Sequence, residues 1–145
     1  MICFALYSAT LAMQQAYKPL LDDLDLTYPQ YLALSALWVQ DGQTVGEIGR
    51  QVQLESNTLT PLFKRLEAQG LISRRRDSQD ERQVRIDLTE TGRALREKAA
   101  HIPACILEKT GMELPALLAL REQITALRDH LRANASVPKP LHPQP

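Results

Sequence analysis

Between Leu71 and Leu88 the chain reads LISRRRDSQDERQVRIDL, and there its apolar residues stop recurring every three or four positions and begin to alternate. Val84, Ile86 and Leu88 alternate with polar residues and face the run Leu71 to Arg75 across a polar turn. Period two is the spacing that turns one face of a strand inward, so a β-hairpin is predicted here. An isolated hairpin is marginal in water and needs helices to cover its apolar face. The predicted fold class is mainly α with a small β-hairpin.

The flanking segments supply those helices. From Ile2 to about Leu24, Phe4, Leu6, Leu11, Met13, Tyr17 and Leu20 recur at helical spacing, with Pro19 predicted to kink or restart the helix. Thr27-Tyr28-Pro29-Gln30 reads as a helix start, with Thr at the N-cap, Pro in the first turn and Gln at the capping-box position. That helix runs to Val39 or Gln40 and stops at Asp41-Gly42. Thr44-Val45-Gly46-Glu47 is a second capping box, opening a short helix to about Val52 with Val45, Ile48 and Val52 inward. In ESNTLTPLFKRLEAQG, Leu59, Leu62, Phe63 and Leu66 form an apolar stripe and Gly70 a C-terminal cap. Pro61 predicts a start near Thr58 rather than Ser56, because its missing N–H is harmless only in a first turn. After the hairpin, Thr89 caps a helix to about His101, Ile102-Pro103 interrupts it, and Gly111 ends the piece that holds Cys105. A last amphipathic helix carries Leu117, Leu118, Leu120, Ile124, Leu127 and Leu131. The tail, residues 135–145, is too proline-rich to fold and is expected to be disordered.

A chain of 145 residues fits one domain, taken as residues 1–134. No apolar run approaches the roughly 18 residues of a membrane span and no secretory signal opens the chain, so the cytoplasm is the expected compartment. Net charge is zero but unevenly placed. Residues 1–60 hold two cations against six carboxylates, whereas 62–85 hold seven against four, so basic charge gathers mid-chain. The two cysteines, Cys3 and Cys105, are too few and too far apart in sequence for a disulfide framework, and neither has partners at zinc-site spacing. No metal or cofactor is expected.

Short helix, tight connection, second helix and basic hairpin is the order of a winged helix-turn-helix, whose second helix enters the DNA major groove. The winged module is expected over about residues 28–90. On the outer side of its second helix, Ser56, Asn57, Thr58 and Thr60 can reach base edges, while Lys64 and Arg65 can hold phosphates. Arg74, Arg75 and Arg76 are the chain's one arginine cluster. At the hairpin tip Arg82, with Asp80 beside it, has the reach for a minor groove. Double-stranded, palindromic operator DNA is the expected partner. A homodimer is expected to read it through end helices at about 2–24 and 90–133, with Leu117, Leu120, Ile124, Leu127 and Leu131 as interface.

LYSATLAMQQAYKPLLDDLDLTYPQYLALSALW, LTPLFKRLEAQGLISRRRDSQDERQVRIDLTETG and IPACIL together resemble the MarR family of winged-helix repressors, and within it the organic-hydroperoxide-sensing OhrR branch. The match runs from Cys3 to about Leu107. Asp80-Glu81-Arg82 is shared widely in the family; the Cys-Phe start, Tyr-Lys-Pro-Leu-Leu and Thr-Tyr-Pro-Gln-Tyr are specific to the branch. The resemblance implies that Cys3 is the peroxidatic cysteine, its thiolate held by the phenols of Tyr17 and Tyr28, with Tyr7 lining the pocket. It also implies that Cys105 is a resolving cysteine forming an intersubunit disulfide with Cys3, and that an organic hydroperoxide is the inducer. Members of the branch carry residues before the sensing cysteine, whereas here only Met1 and Ile2 precede it, so a longer native start and a fraying first turn are expected. The same residues leave open a repressor released by a noncovalent phenolic or aromatic ligand. A thiol peroxidase is disfavoured: the sequence holds no Cys-x-x-Cys, and a basic wing serves no peroxidase.

Overall fold

The structure, a computed structural model, describes residues 1–135. It divides into two units, Met1–Ile106 and the segment from Leu107 onward. The elements are α1 (Ile2–Asp22), α2 (Tyr28–Val39), β1 (Gln43–Thr44), α3 (Val45–Val52), α4 (Ser56–Ala68), β2 (Ile72–Arg76), β3 (Val84–Leu88), α5 (Glu90–Ala99), α6 (Ile102–Thr110) and α7 (Leu114–Asn134). Of the tail at 135–145, Ala135 caps α7 and residues 136–145 lie outside the described residues. No described helix is long and apolar enough to cross a membrane.

Both capping boxes form. The Thr27 hydroxyl accepts the Gln30 N–H at 3.4 Å while Gln30 Oε1 accepts the Thr27 N–H at 2.9 Å. Thr44 and Glu47 exchange the same pair of bonds at 3.2 and 2.7 Å. Each box satisfies two N–H groups that a helix start leaves open. Thr89 caps α5 by accepting the Gly92 N–H at 3.0 Å.

Two boundaries differ from the sequence reading, both at prolines. Pro19 does not restart the helix: α1 continues through it to Asp22. In the last turn its ring removes only the bond to the Gln15 carbonyl, and Gln15 is exposed to water. Likewise α4 begins at Ser56, with Pro61 inside it. Starting there adds the exposed Ser56 and Asn57 to the helix, and the cost is one open carbonyl, that of Asn57, which water can reach.

The hairpin is antiparallel, pairing Ile72 with Leu88, Arg74 with Ile86 and Arg76 with Val84. A third strand, β1, joins the other side of β3 through Gln43–Ile86 and Thr44–Arg85, giving the order β1-β3-β2. The core of the first unit is built from Leu34 and Leu37 of α2, Ile48 of α3, Leu59, Phe63 and Leu66 of α4, and Ile72 and Ile86 of the sheet. Burial at 59, 62, 63 and 66 is the i, i+3, i+4, i+7 stripe of a helix lying on a core. It fixes which side of α4 faces outward.

Candidate DNA interface and thiol site

On α4 the four buried residues leave Ser56, Asn57, Thr58, Thr60, Lys64 and Arg65 all exposed. The Thr60 hydroxyl donates to the Ser56 carbonyl at 2.8 Å; among the described residues Lys64 and Arg65 have no ion-pair partner. One helix face thus presents short polar groups at its start and two uncommitted cations towards its end.

The arginine cluster is divided by the strand. Alternation puts Arg74 on one face of β2, where Glu67 of α4 accepts from Nε at 2.8 Å and pairs with Nη2 at 2.7 Å. Arg75 lies on the other face, paired with Asp87 at 2.6 Å and directly opposite Arg85. The Arg76 guanidinium donates to the Glu81 carbonyl at 2.9 Å. Arg74 and Arg75 are therefore each paired with a carboxylate of this chain, on opposite faces of β2.

Arg85 and Asp77 set the wing. The Asp77 carboxylate, buried at the base of the turn, takes Arg85 through Nε at 3.0 Å and through Nη2, and accepts the Gln79 N–H at 2.7 Å. Arg85 Nη1 also donates to the Gly42 carbonyl, tying the wing to the loop before β1. Bonding from Gln79, then Arg85, holds the Asp77 carboxyl below its usual range. Beyond this anchor Arg82 is almost wholly exposed, its backbone N–H donating to Asp80 Oδ1 at 3.1 Å and its guanidinium 4.0 Å from the same oxygen. Asp77 and Arg85 had no role in the sequence reading, because their partnership spans the turn.

Cys3 is exposed at the start of α1 and Cys105 half-buried in α6, both as free thiols. Tyr7, one turn after Cys3, is exposed. Tyr17 and Tyr28 are together, their ring centroids 5.0 Å apart. Tyr31 lies 6.0 Å from Tyr17 and 6.2 Å from Trp38, making an aromatic row along α1 and α2. Tyr31 had no assigned role, although it closes the Thr-Tyr-Pro-Gln-Tyr stretch that carries the resemblance. Burial, then the neighbouring Tyr28 and Tyr31, pushes the Tyr17 phenol up to about 12. Tyr28 and Tyr31 are raised too, burial being the main cause. The three phenols therefore stay protonated and able to donate.

That shift carries a stability consequence. A pKa raised in the folded state stabilises fully below the unfolded value and is lost as pH climbs through the folded one. Denaturant midpoints should therefore fall between pH 10 and about 12. Tyr17→Phe should flatten that fall; an unchanged slope would show that the ring is not desolvated.

Tyr17 and Tyr28 do not meet Cys3 within one protomer. Cys3 and Tyr17 are both on the unbroken α1, and fourteen residues at 1.5 Å each separate them by about 21 Å along the axis. A thiolate at Cys3 that uses these phenols must come from another chain.

Comparison with known proteins agrees with the geometry. Residues 15–99 match the family model for the transcriptional regulator SarA/Rot. The organic hydroperoxide resistance transcriptional regulator of Bacillus subtilis is 51% identical over 119 residues, 80% of this chain and 81% of its own. The HTH-type transcriptional regulator TtmR of Methylorubrum extorquens is 48% identical over 92% of this chain and 69% of its own. Among solved structures, AbfR of Staphylococcus epidermidis is similar in several states, reduced and overoxidised on DNA and disulfide-formed. Reduced AbfR bound to DNA has a TM-score of 0.77 at 35% identity and covers 90% of both chains. The disulfide-formed state has 0.64 at 33%, covering 94% of this chain and 90% of that one. Both sequence relatives are transcriptional regulators by name. With its capped helix pair, exposed α4 face and anchored wing, the chain belongs to the MarR family of winged-helix transcriptional regulators.

Proposed function

We propose that the protein is a dimeric repressor that holds palindromic operator DNA while Cys3 is reduced and releases it when an organic hydroperoxide oxidises that thiol. The observation that carries the reading is the Tyr17–Tyr28 pair, two protonated phenols 5.0 Å apart and out of reach of their own Cys3. A second copy supplies the missing thiol. It also covers the apolar side chains that α1 and α7 leave in water: Ile2, Phe4, Tyr7 and Leu11 on one, Leu114, Leu118, Ile124 and Leu131 on the other. α7 buries none of its residues within the chain. Uncovered apolar faces of this length mark an interface.

The chemistry then follows the thiolate. Donors from Tyr17 and Tyr28 favour the charged sulfur, which attacks the terminal oxygen of the hydroperoxide; the O–O bond breaks and the alkoxide leaves, protonated to an alcohol. The resulting sulfenic acid at Cys3 is attacked by the thiol of Cys105 from the other subunit, forming the S–S bond and expelling water. A disulfide needs Cα atoms within about 7 Å, so the switch requires the reduced thiols to start further apart and the helices that carry them to move as the bond closes. That movement takes the α4 faces of the dimer out of register with the half-sites. The hydroperoxide-resistance relative and the reduced, DNA-bound and disulfide-formed states of AbfR support this order of events. Such a switch suits the reducing cytoplasm, where a disulfide is an event rather than a resting state.

One equivalent of cumene hydroperoxide should convert the wild type to a covalent dimer on a non-reducing gel and abolish its operator shift. Cys105→Ser should form no covalent dimer. A wild type that stays monomeric on the gel and keeps its DNA overturns the thiol switch in favour of a noncovalent aromatic ligand.

A further inference from the structure

The loop between α1 and α2 is held by the end of α4. Gln69, the C-cap of α4, donates from Nε2 to the Asp25 carbonyl at 3.0 Å, and its Oε1 stands 3.5 Å from Nε2 of the buried Gln30. Both contacts cross an open cleft of about 680 Å³, with Asp25, Thr27 and Gln30 on one wall and Arg65 and Gln69 on the other. We infer that Gln69 is the coupling residue of the switch, passing a displacement of the Tyr28 phenol to the recognition helix of the same protomer. This role rests on the repressor reading and names the residue through which the thiol site reaches α4.

The residues between this tie and the phenol have little freedom to absorb a shift. Asp25 takes a left-handed conformation, φ 55°, that glycine ordinarily supplies at a helix C-terminus. Its N–H bonds the Asp22 carbonyl at 3.1 Å and that of Leu26 reaches back to Leu21 at 3.0 Å, so the turn is closed on α1. Leu26 is buried in the core, Thr27 is fixed by its capping box, and Tyr28 opens α2. Gln30 serves both sides: its Oε1 takes the Thr27 N–H at 2.9 Å while its Nε2 faces Gln69. A sulfenic acid or disulfide at Cys3 no longer offers the thiolate that the Tyr28 phenol holds, and the start of α2 is then released to move. From there the path runs through the Asp25 carbonyl into Gln69, whose own N–H is bonded to the Arg65 carbonyl at 3.0 Å on the exposed face of α4. A single hydrogen bond of this kind carries a coupling of about fivefold.

The test compares the operator affinity of the full-length protein before and after cumene hydroperoxide, beside the rate of Cys3 oxidation read by sulfenic-acid trapping. Gln69→Met keeps the length and helix propensity of an exposed side chain and removes the donor. It should melt with the wild type, bind operator equally when reduced and oxidise at the same rate. The ratio of oxidised to reduced Kd should fall by about fivefold. Gln69→Lys, which returns a donor at similar reach, should restore that ratio. A wild-type ratio in Gln69→Met overturns the coupling and leaves the repressor reading standing. So does a fall in the ratio that tracks a lower melting temperature and that lysine does not restore, because Gln69 then acts only in holding the fold. A wild type whose operator affinity is indifferent to the hydroperoxide removes both readings together.

Discussion

Cys3→Ser should bind operator DNA as tightly as the wild type and keep it through an excess of organic hydroperoxide, turning a repressor that lets go into one that does not. The substitution is nearly isosteric and falls on an exposed side chain at the first turn of α1, so nothing in the core of the first unit changes. What is removed is the nucleophile: a serine hydroxyl is scarcely ionised at neutral pH, whereas a thiolate favoured by phenolic donors attacks peroxide oxygen. The measurement is a gel-shift titration with and without cumene hydroperoxide, on Cys3→Ser and wild type side by side. Release of DNA by the oxidised serine variant would mean that the inducer acts elsewhere. Tyr17→Phe and Tyr28→Phe extend the test. Each keeps its ring in the 5.0 Å pair and loses one donor, so each should slow oxidation of Cys3 without abolishing it.

Gly92→Ala should unfold most of the winged domain at temperatures where the wild type is intact. A Cβ at this position would stand 2.0 Å from the Leu71 carbonyl oxygen, 3.0 Å from its carbon and 3.2 Å from Leu88 Cδ2. The nearest obstruction is backbone, and that same carbonyl accepts the Thr89 N–H at 3.1 Å where the chain leaves the sheet for α5. Two effects oppose each other. Alanine is better than glycine inside a helix by about 1 kcal/mol, while forcing a well-packed backbone apart costs on the order of 1–3 kcal/mol and here more, because no rotamer can yield. The clash wins, with a net loss of roughly 3 kcal/mol. Trp38, the chain's only tryptophan, donates its indole N–H to the Gly92 carbonyl at 2.9 Å, so its fluorescence in a urea titration reports the site directly. A variant as stable as the wild type would show that α5 does not approach Leu71 this closely.

Much of this architecture is local and was legible as such. Thr27 with Gln30 and Thr44 with Glu47 mark two helix starts because each box closes within four residues. The alternation of Val84, Ile86 and Leu88 marks the hairpin, and the stripe from Leu59 to Leu66 marks the buried side of α4. Since burial of that stripe leaves only one face free, Ser56, Asn57, Thr58, Thr60, Lys64 and Arg65 could be placed outside before any coordinates.

The same reasoning misjudged positions whose partners lie in solvent or far along the chain. Pro61 is an interior residue of α4, because the one carbonyl its ring leaves open, that of Asn57, is exposed and water can satisfy it. Strand β1 has two residues, too short and too polar for any period. It exists because Gln43 and Thr44 find Ile86 and Arg85, and because the Gln43 amide donates to Ala36 and Gln40 carbonyls at 3.1 and 2.7 Å.

By itself the sequence determined the order of elements, the inward stripes and the family resemblance, all of which rest on residues a few positions apart. Only the tertiary structure decided which charges are available and which groups can meet. Three adjacent arginines read as one basic patch, yet alternation along β2 and carboxylates from α4 and β3 commit two of them, while Lys64 and Arg65 on α4 have no ion-pair partner among the described residues. The resemblance implies that the Tyr17 phenol holds the Cys3 thiolate, yet within one chain an unbroken helix holds them about 21 Å apart. A charge or a thiol acts through what it touches, and contact is a property of the folded chain.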